Sequence, residues 1–201
     1  MKKFILLSVL AVGLTILFGC QANKDQQAAN DQPGVGNTAA PAGEVTYQAP
    51  KEWIEETPAS RMRKAQFRLP GANGAEDAVL AVFFFPGTGG SVEANLNRWY
   101  RQFKQPDGSL TKDLAKTVKF TVNGLNVTVT YVTGTYLQPQ NAMMMSGPVD
   151  EKENYAMWAA IAETAGGPWF FKAIGPKQTI DRWRPQFDQF VQTFRISKKS
   201  V

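Results

Sequence analysis

Histidine is absent from this 201-residue chain, and cysteine occurs once. Without His, Ser-His-Asp and Cys-His catalysis, His-ligated metal sites and histidine pH switching are excluded. A single Cys cannot form an internal disulfide, nor supply a multi-cysteine zinc or iron–sulfur site. No metal and no cofactor are therefore expected. A large charge of one sign is missing too. The formal net charge is +5, and Lys2 and Lys3 carry two of those units. Without them the surplus of basic residues is too small to imply nucleic acid. What remains is an ordinary globular composition, 43% hydrophobic, 11% aromatic and 19% charged, at a length that suits one domain or two small ones.

Long apolar runs are scarce, and the one present opens the chain. Lys2 and Lys3 precede Phe4–Phe18, an uncharged apolar stretch too short for a comfortable membrane span and of signal-peptide length. Gly19 and Cys20 follow. Leu17-Phe18-Gly19-Cys20 resembles the bacterial lipobox, with Leu three places before the Cys and a small residue just before it. Phe18 departs from that pattern, which usually has a smaller residue there. The resemblance implies that residues 1–19 are a lipoprotein signal peptide and that the Cys20 thiol carries lipid. A diacylglyceryl group plus an N-acyl chain exceeds the two signals needed for stable attachment. Gln21, where an Asp would favour inner-membrane retention, implies the periplasmic face of the outer membrane. The alternative is an ordinary secretory signal with a chance cysteine.

Residues 21–43 read QANKDQQAANDQPGVGNTAAPAG, with Val35 the only large apolar side chain. Such a segment cannot bury enough surface to offset its ordering entropy. We expect residues 20–43 to be a lipidated Cys followed by a disordered tether with a reach of roughly 25 Å.

Residues 44–201 are expected to form a single domain with one core. Val45–Gln48 suits a short strand. Arg61–Leu69 alternates, with Ala65, Phe67 and Leu69 on one side and Lys64, Gln66 and Arg68 on the other. Ala78–Phe85 is a continuous apolar run, which suits a central strand buried on both faces. After Pro86–Gly90, Ser91 is a good N-cap. Val92, Leu96, Trp99, Tyr100 and Phe103 follow at helical spacing, and Pro106-Asp107-Gly108 is expected to end that helix. Val118–Val122 and Leu125–Tyr131 form a hairpin around Asn123-Gly124, a type I′ signature. A loop is expected over 137–153, then strands over Tyr155–Glu163 and Trp169–Ile174. Ile180, Trp183, Phe187, Phe190, Val191 and Phe194 form a helical stripe. Pro185 inside it should kink the helix or start a second one. This order predicts an α+β domain, mostly antiparallel, with one helix after the second main strand and another at the C-terminus.

Several strings are familiar: Met62-Arg63 leading into Phe67-Arg68-Leu69-Pro70, GGSVEANLNRWYRQF from Gly89, Gly134-Thr135-Tyr136, and GGPWFFKAIGP from Gly166. They resemble an uncharacterised family of bacterial lipoproteins, which carries no established activity. The element order is also similar to the PsbP-like and DcrB-like α+β sandwich. Fold does not determine function, and no metal-ligand motif supports transfer of the PsbP role.

Candidate sites are few. Gly89, Gly90 and Ser91, in a Gly-rich turn opening a helix, present backbone N–H groups that suit a phosphate or carboxylate. The turn meets neither GxxxxGK[ST] nor GxGxxG, and a tight structural turn explains it equally. Trp99 suits the core, and Asn95 suits a buried polar group bonded to a neighbouring loop. Arg98 faces water, pairs with an acid such as Glu93 or Asp107, or contacts a ligand oxyanion. Met143, Met144 and Met145 suit a pliable partner-binding loop or packing under the sheet. Glu52, Glu55, Glu56, Asp150, Glu151 and Glu153 sit in solvated stretches, with no motif joining two in one pocket. The leading expectation is a membrane-attached, non-catalytic envelope protein whose domain binds an envelope protein or a small ligand. The competitors are an envelope hydrolase or transferase using carboxylate or Ser/Lys chemistry, and a structural lipoprotein binding envelope polymer through exposed Trp53, Trp158 or Trp169.

Overall fold

The computed structural model describes residues 43–87, 89–140 and 147–197. All of these lie in the compact unit Thr38–Val201. The leader, Cys20, the tether up to residue 42, and Met143–Met145 lie outside the described residues.

The elements in chain order are β1 (Val45–Thr46), β2 (Ile54–Glu56), β3 (Arg63–Leu69), β4 (Ala78–Phe84), α1 (Val92–Tyr100), β5 (Phe103–Lys104), α2 (Thr111–Leu114), β6 (Lys116–Val122), β7 (Leu125–Pro139), β8 (Val149–Glu163), β9 (Trp169–Pro176), α3 (Lys177–Gln192) and β10 (Arg195–Ile196). The main sheet has the order β2-β3-β4-β9-β8-β7-β5, with β6 also on β7. Its pairings are antiparallel. The expected α+β, mostly antiparallel architecture is therefore the observed one. Among the described residues no helix is long and apolar enough to cross a membrane.

Both faces of the sheet are covered. Successive side chains on a strand point to opposite faces, so Phe171 and Ala173 of β9 meet α3, while Phe170 meets α1. On the α3 side, Trp183, Phe187, Phe190 and Phe194 pack against Trp53, Phe67, Trp158 and Phe171. Each large side chain buried this way contributes roughly 1.5–3 kcal/mol. On the α1 side, Leu96, Trp99 and Tyr100 cover Met157, Ile161 and Phe170. Covering both faces explains why β4, in the middle of the sheet, is a continuous apolar run.

The hairpin turn is as expected: Asn123 and Gly124 have φ of 49° and 81°. Asn123 has a second use. Its Nδ2 donates to the Phe194 carbonyl at 2.8 Å and to the Gln192 carbonyl at 3.3 Å, closing the C-terminal end of α3.

Four expectations need correction. First, α1 ends at Tyr100, a turn early, because Phe103 pairs with Tyr136 and the Leu137 N–H donates to the Gln102 carbonyl at 2.8 Å. Sheet hydrogen bonds there replace the last helical ones. Second, the expected loop over 137–153 is largely strand. Residues 136–139 pair with 149–152, extending the β7–β8 hairpin beyond its apolar part. Third, α3 is one helix across Pro185, with Pro185 on its exposed side, so the proline starts no second helix. Fourth, Trp53, Trp158 and Trp169 are core residues, 5%, 3% and 5% exposed, and offer no polymer-binding surface.

Candidate functional site

Three hollows stand out on the described surface. Two open clefts of about 690 and 600 Å³ lie beside β8 and share Glu151, Glu153, Asn154, Tyr155 and Lys177. Their charges are mixed, and Glu151 already pairs with Lys104. A third, of about 400 Å³, lies at the start of α1 and includes Gly90, Ser91, Lys119 and Glu163. Among the described residues no group of three or more carboxylates, His or Cys could hold a metal.

At the start of α1, Ser91 Oγ accepts the Ala94 N–H at 3.1 Å, as a helix cap should. Asn95, 3% exposed, donates through Nδ2 to the carbonyls of Gly89 and Ser91 at 2.8 and 2.9 Å. This is the buried polar group tied to a loop that the sequence suggests. A Cβ on Gly89 would come within 2.4 Å of the Pro168 ring, and Gly90 has a φ of 81°. The glycines thus let this turn cross the Gly166–Pro168 turn at close range.

Of the alternatives for Arg98, the structure shows it exposed and pairing with neither Glu93 nor Asp107. It donates to Asn95 Oδ1 at 2.6 Å. Asn95 therefore links Gly89, Ser91 and Arg98 into one network. It leads to a residue that the sequence reading passed over, Lys172 on β9.

Lys172 is in register with Ala81 on β4 and Ala159 on β8, and the row continues to Gln66 on β3 and Thr130 on β7. The small alanines on either side leave the lysine stem unhindered along the sheet. Its Nζ lies 5.5 Å from the centre of the Trp99 ring and donates to Gln102 Oε1. The residue keeps some accessible area, but the ammonium is deeply enclosed. Burial, followed by the charges of Arg98 and Arg63, pulls its pKa down to about 7.

Arg63, half-buried at the start of β3, donates to Gln66 Oε1. Burial lowers its pKa from the usual arginine value, and the nearby Tyr136 phenol acts in the opposite direction. The three cations come from β3, α1 and β9. Each donates to a neutral carboxamide oxygen: Arg63 to Gln66, Arg98 to Asn95 and Lys172 to Gln102. Among the described residues none of the three is in a salt bridge.

Three other cations, Arg68, Lys104 and Lys177, have carboxylate partners. Arg68 contacts both Glu56 and Asp77 at 2.9 Å, and Lys177 pairs with Asp181. Only an indirect link joins Arg63 to a carboxylate, since Gln66 Nε2 donates to Glu56 at 3.0 Å.

The structure thus connects Gly89, Gly90, Ser91 and Arg98 in one neighbourhood and adds Arg63, Gln102 and Lys172. One sequence signal points to Lys172. It is the single charge in a strand whose other side chains are nearly all apolar, on both faces.

No family model matches the chain, and no curated protein is similar to it in sequence. Solved structures are similar at the level of overall layout. A Pseudomonas aeruginosa protein of unknown function, PA94, is 13% identical, covering 79% of this chain and 100% of that one, with a TM-score of 0.46. LpqN of Mycobacterium tuberculosis, involved in cell envelope biogenesis, is 11% identical over 82% of this chain and 88% of its own, with a TM-score of 0.44. Cyanobacterial PsbP from Synechocystis sp. PCC 6803 is 14% identical over 82% and 96%, with a TM-score of 0.42. TM-scores below 0.5 at such identities carry no argument about a site or an activity.

Proposed function

We propose that this chain is a lipid-anchored cell-envelope protein, attached through Cys20 to the periplasmic face of the outer membrane. Its folded domain binds a ligand or partner and performs no chemistry itself. The observation that carries the anchoring is Leu17-Phe18-Gly19-Cys20: the only cysteine of the chain ends an apolar leader behind two lysines. The polar stretch 21–43 then supplies a tether between lipid and domain.

The binding role is supported by how the domain uses its charges. Glu56 and Glu151, two carboxylates considered for acid/base work, are engaged with Arg68 and Lys104, the first in a half-buried and the second in an exposed ion pair. The α1 side instead holds three cations on neutral acceptors. A hydrolase or transferase is the second reading, favoured by the lowered pKa of Lys172. Its described partner is the Gln102 amide and not a serine hydroxyl, which favours binding over Ser/Lys chemistry.

Two measurements test the proposal. Cys20→Ala should abolish incorporation of labelled fatty acid and block lipoprotein-type processing. A wild-type protein that takes up no label overturns the anchoring. Crosslinking in cells, followed by mass spectrometry of membrane complexes, tests the partner half of the binding role.

A further inference from the structure

We propose that Arg63, Arg98 and Lys172, roofed by Trp99, form a site for a small oxyanion, a carboxylate or phosphate group on a soluble ligand. The inference deepens the reading of this domain as a binding domain and is independent of lipidation at Cys20.

The argument begins with cost. Like charges held close together repel one another, and at Lys172 and Arg63 burial penalises the charged form as well. Such a cluster is resolved by a counter-charge. Where another cation of this domain has a counter-charge, it is a carboxylate of the chain, as with Arg68 between Glu56 and Asp77. Here the chain places Gln66, Asn95 and Gln102 instead. Carboxamide oxygens orient a cation without neutralising it, so the cluster keeps its charge for something else.

Geometry supports the same occupant. Gln66 and Asn95 occupy only part of the donor sets of Arg63 and Arg98, and each guanidinium has five N–H donors. A guanidinium fork matches two oxygens of a carboxylate or phosphate, while Lys172 adds a point charge from the sheet floor. Ala81 and Ala159 flank Lys172 in register, so the floor beside it is low. With its ammonium enclosed and the Trp99 ring over it, 5.5 Å to the ring centre, Lys172 is out of reach of a flat membrane surface. The carboxylate nearest in the network, Glu56, is already engaged by Arg68 and by Gln66 Nε2.

Binding of an anion should draw a proton onto Lys172. The charged groups that act there are Arg98 from α1 and Arg63 from β3, both positive, with the Tyr136 phenol beside Arg63. An anion should therefore bind more tightly at pH 6 than at pH 9.

Sulfate and acetate are suitable probes, because neither titrates between those values. Each would be titrated into the full-length chain purified in detergent, with Trp fluorescence and calorimetry as readouts. We expect saturable binding at pH 6, about tenfold weaker for Arg98→Gln, the loss of one charge-assisted contact. Lys172→Met should weaken it similarly and remove the pH dependence. Calorimetry in two buffers of different ionisation enthalpy should show proton uptake near pH 7 in the wild type only. Lys112→Gln, an exposed lysine outside the hydrogen bonds of the cluster, should bind as the wild type does. Arg98 is exposed, so its variant reports on binding even if Lys172→Met is poorly folded. Absence of binding by both anions to the folded wild type, or affinity unchanged in Arg98→Gln, overturns the site. A partner still captured from membranes in that case leaves the broader binding reading standing.

Discussion

Lys172 is costly to the fold in a way that pH should reveal. A lysine ordinarily titrates near 10.4, and in the folded protein this one is pulled down to about 7. Between those values the unfolded chain holds a proton that the folded one lacks. Stability therefore rises with pH across that window, and below about 7 the penalty for the buried charge is fully present. The window closes near pH 10, because Tyr155 is pushed up to about 12 and Tyr131 higher still. Above 10 the unfolded phenols ionise first, and stability falls again. Urea midpoints at pH 6.5 and 9.5 should show wild type gaining stability and Lys172→Met gaining much less. Parallel pH profiles would contradict this account of Lys172.

Among the elements, α3 closes the core. Its aromatic stripe covers the sheet through Trp183, Phe187 and Phe190, with Phe194 just beyond its end. Arg182, Arg184 and Asp188 mix charges on the exposed side. Phe187 and Phe190 are 2% and 1% exposed. Phe187→Ala or Phe190→Ala should cost about 3–5 kcal/mol each, read as a lowered denaturation midpoint. An unchanged midpoint with weaker vesicle or partner binding would make α3 a docking face instead. The helix is also held at its ends. Trp183 Nε1 donates to the Pro70 carbonyl at 2.8 Å, Thr179 Oγ1 to the Glu76 carbonyl at 2.7 Å, and Asn123 closes the C-terminal end. Asn123→Gly keeps the turn but removes that closure, which should cost about 1 kcal/mol. Asn123→Ala should cost about 1 kcal/mol more, because Ala resists the positive φ. Equal midpoints for the two variants would remove the strain argument.

For the molecule as a whole, β1 and β10 bring the two ends of the described chain together. Val45 pairs with Ile196, and the Ser197 N–H donates to the Glu44 carbonyl at 2.8 Å. The described chain thus begins beside the point where it ends, and we propose the boundary between tether and domain at residue 44. Limited proteolysis should remove the proposed tether and leave a resistant fragment beginning near Glu44. Protection of residues 21–43, or a domain degraded at the same rate, would move the boundary.

Much of this architecture is local enough to be read along the chain. The Asn123-Gly124 turn follows from backbone preferences of two adjacent residues. The α3 stripe and the Ala78–Phe85 run follow from which residues avoid water and at what period. The strand extensions at 136–139 and 149–152 are different. Gln138, Asp150 and Glu151 carry no apolar period, so backbone pairing across the hairpin decides their conformation. The cation cluster lies further still from sequence legibility. Arg63, Arg98 and Lys172 are 35 and 74 residues apart along the chain, and although Lys172 stands out in an apolar strand, nothing in the sequence joins it to the two arginines. They meet because the sheet sets β9 one strand away from β3 and lays α1 across that row. That proximity is a product of long-range strand order, and periodicity and turn chemistry hold no record of it.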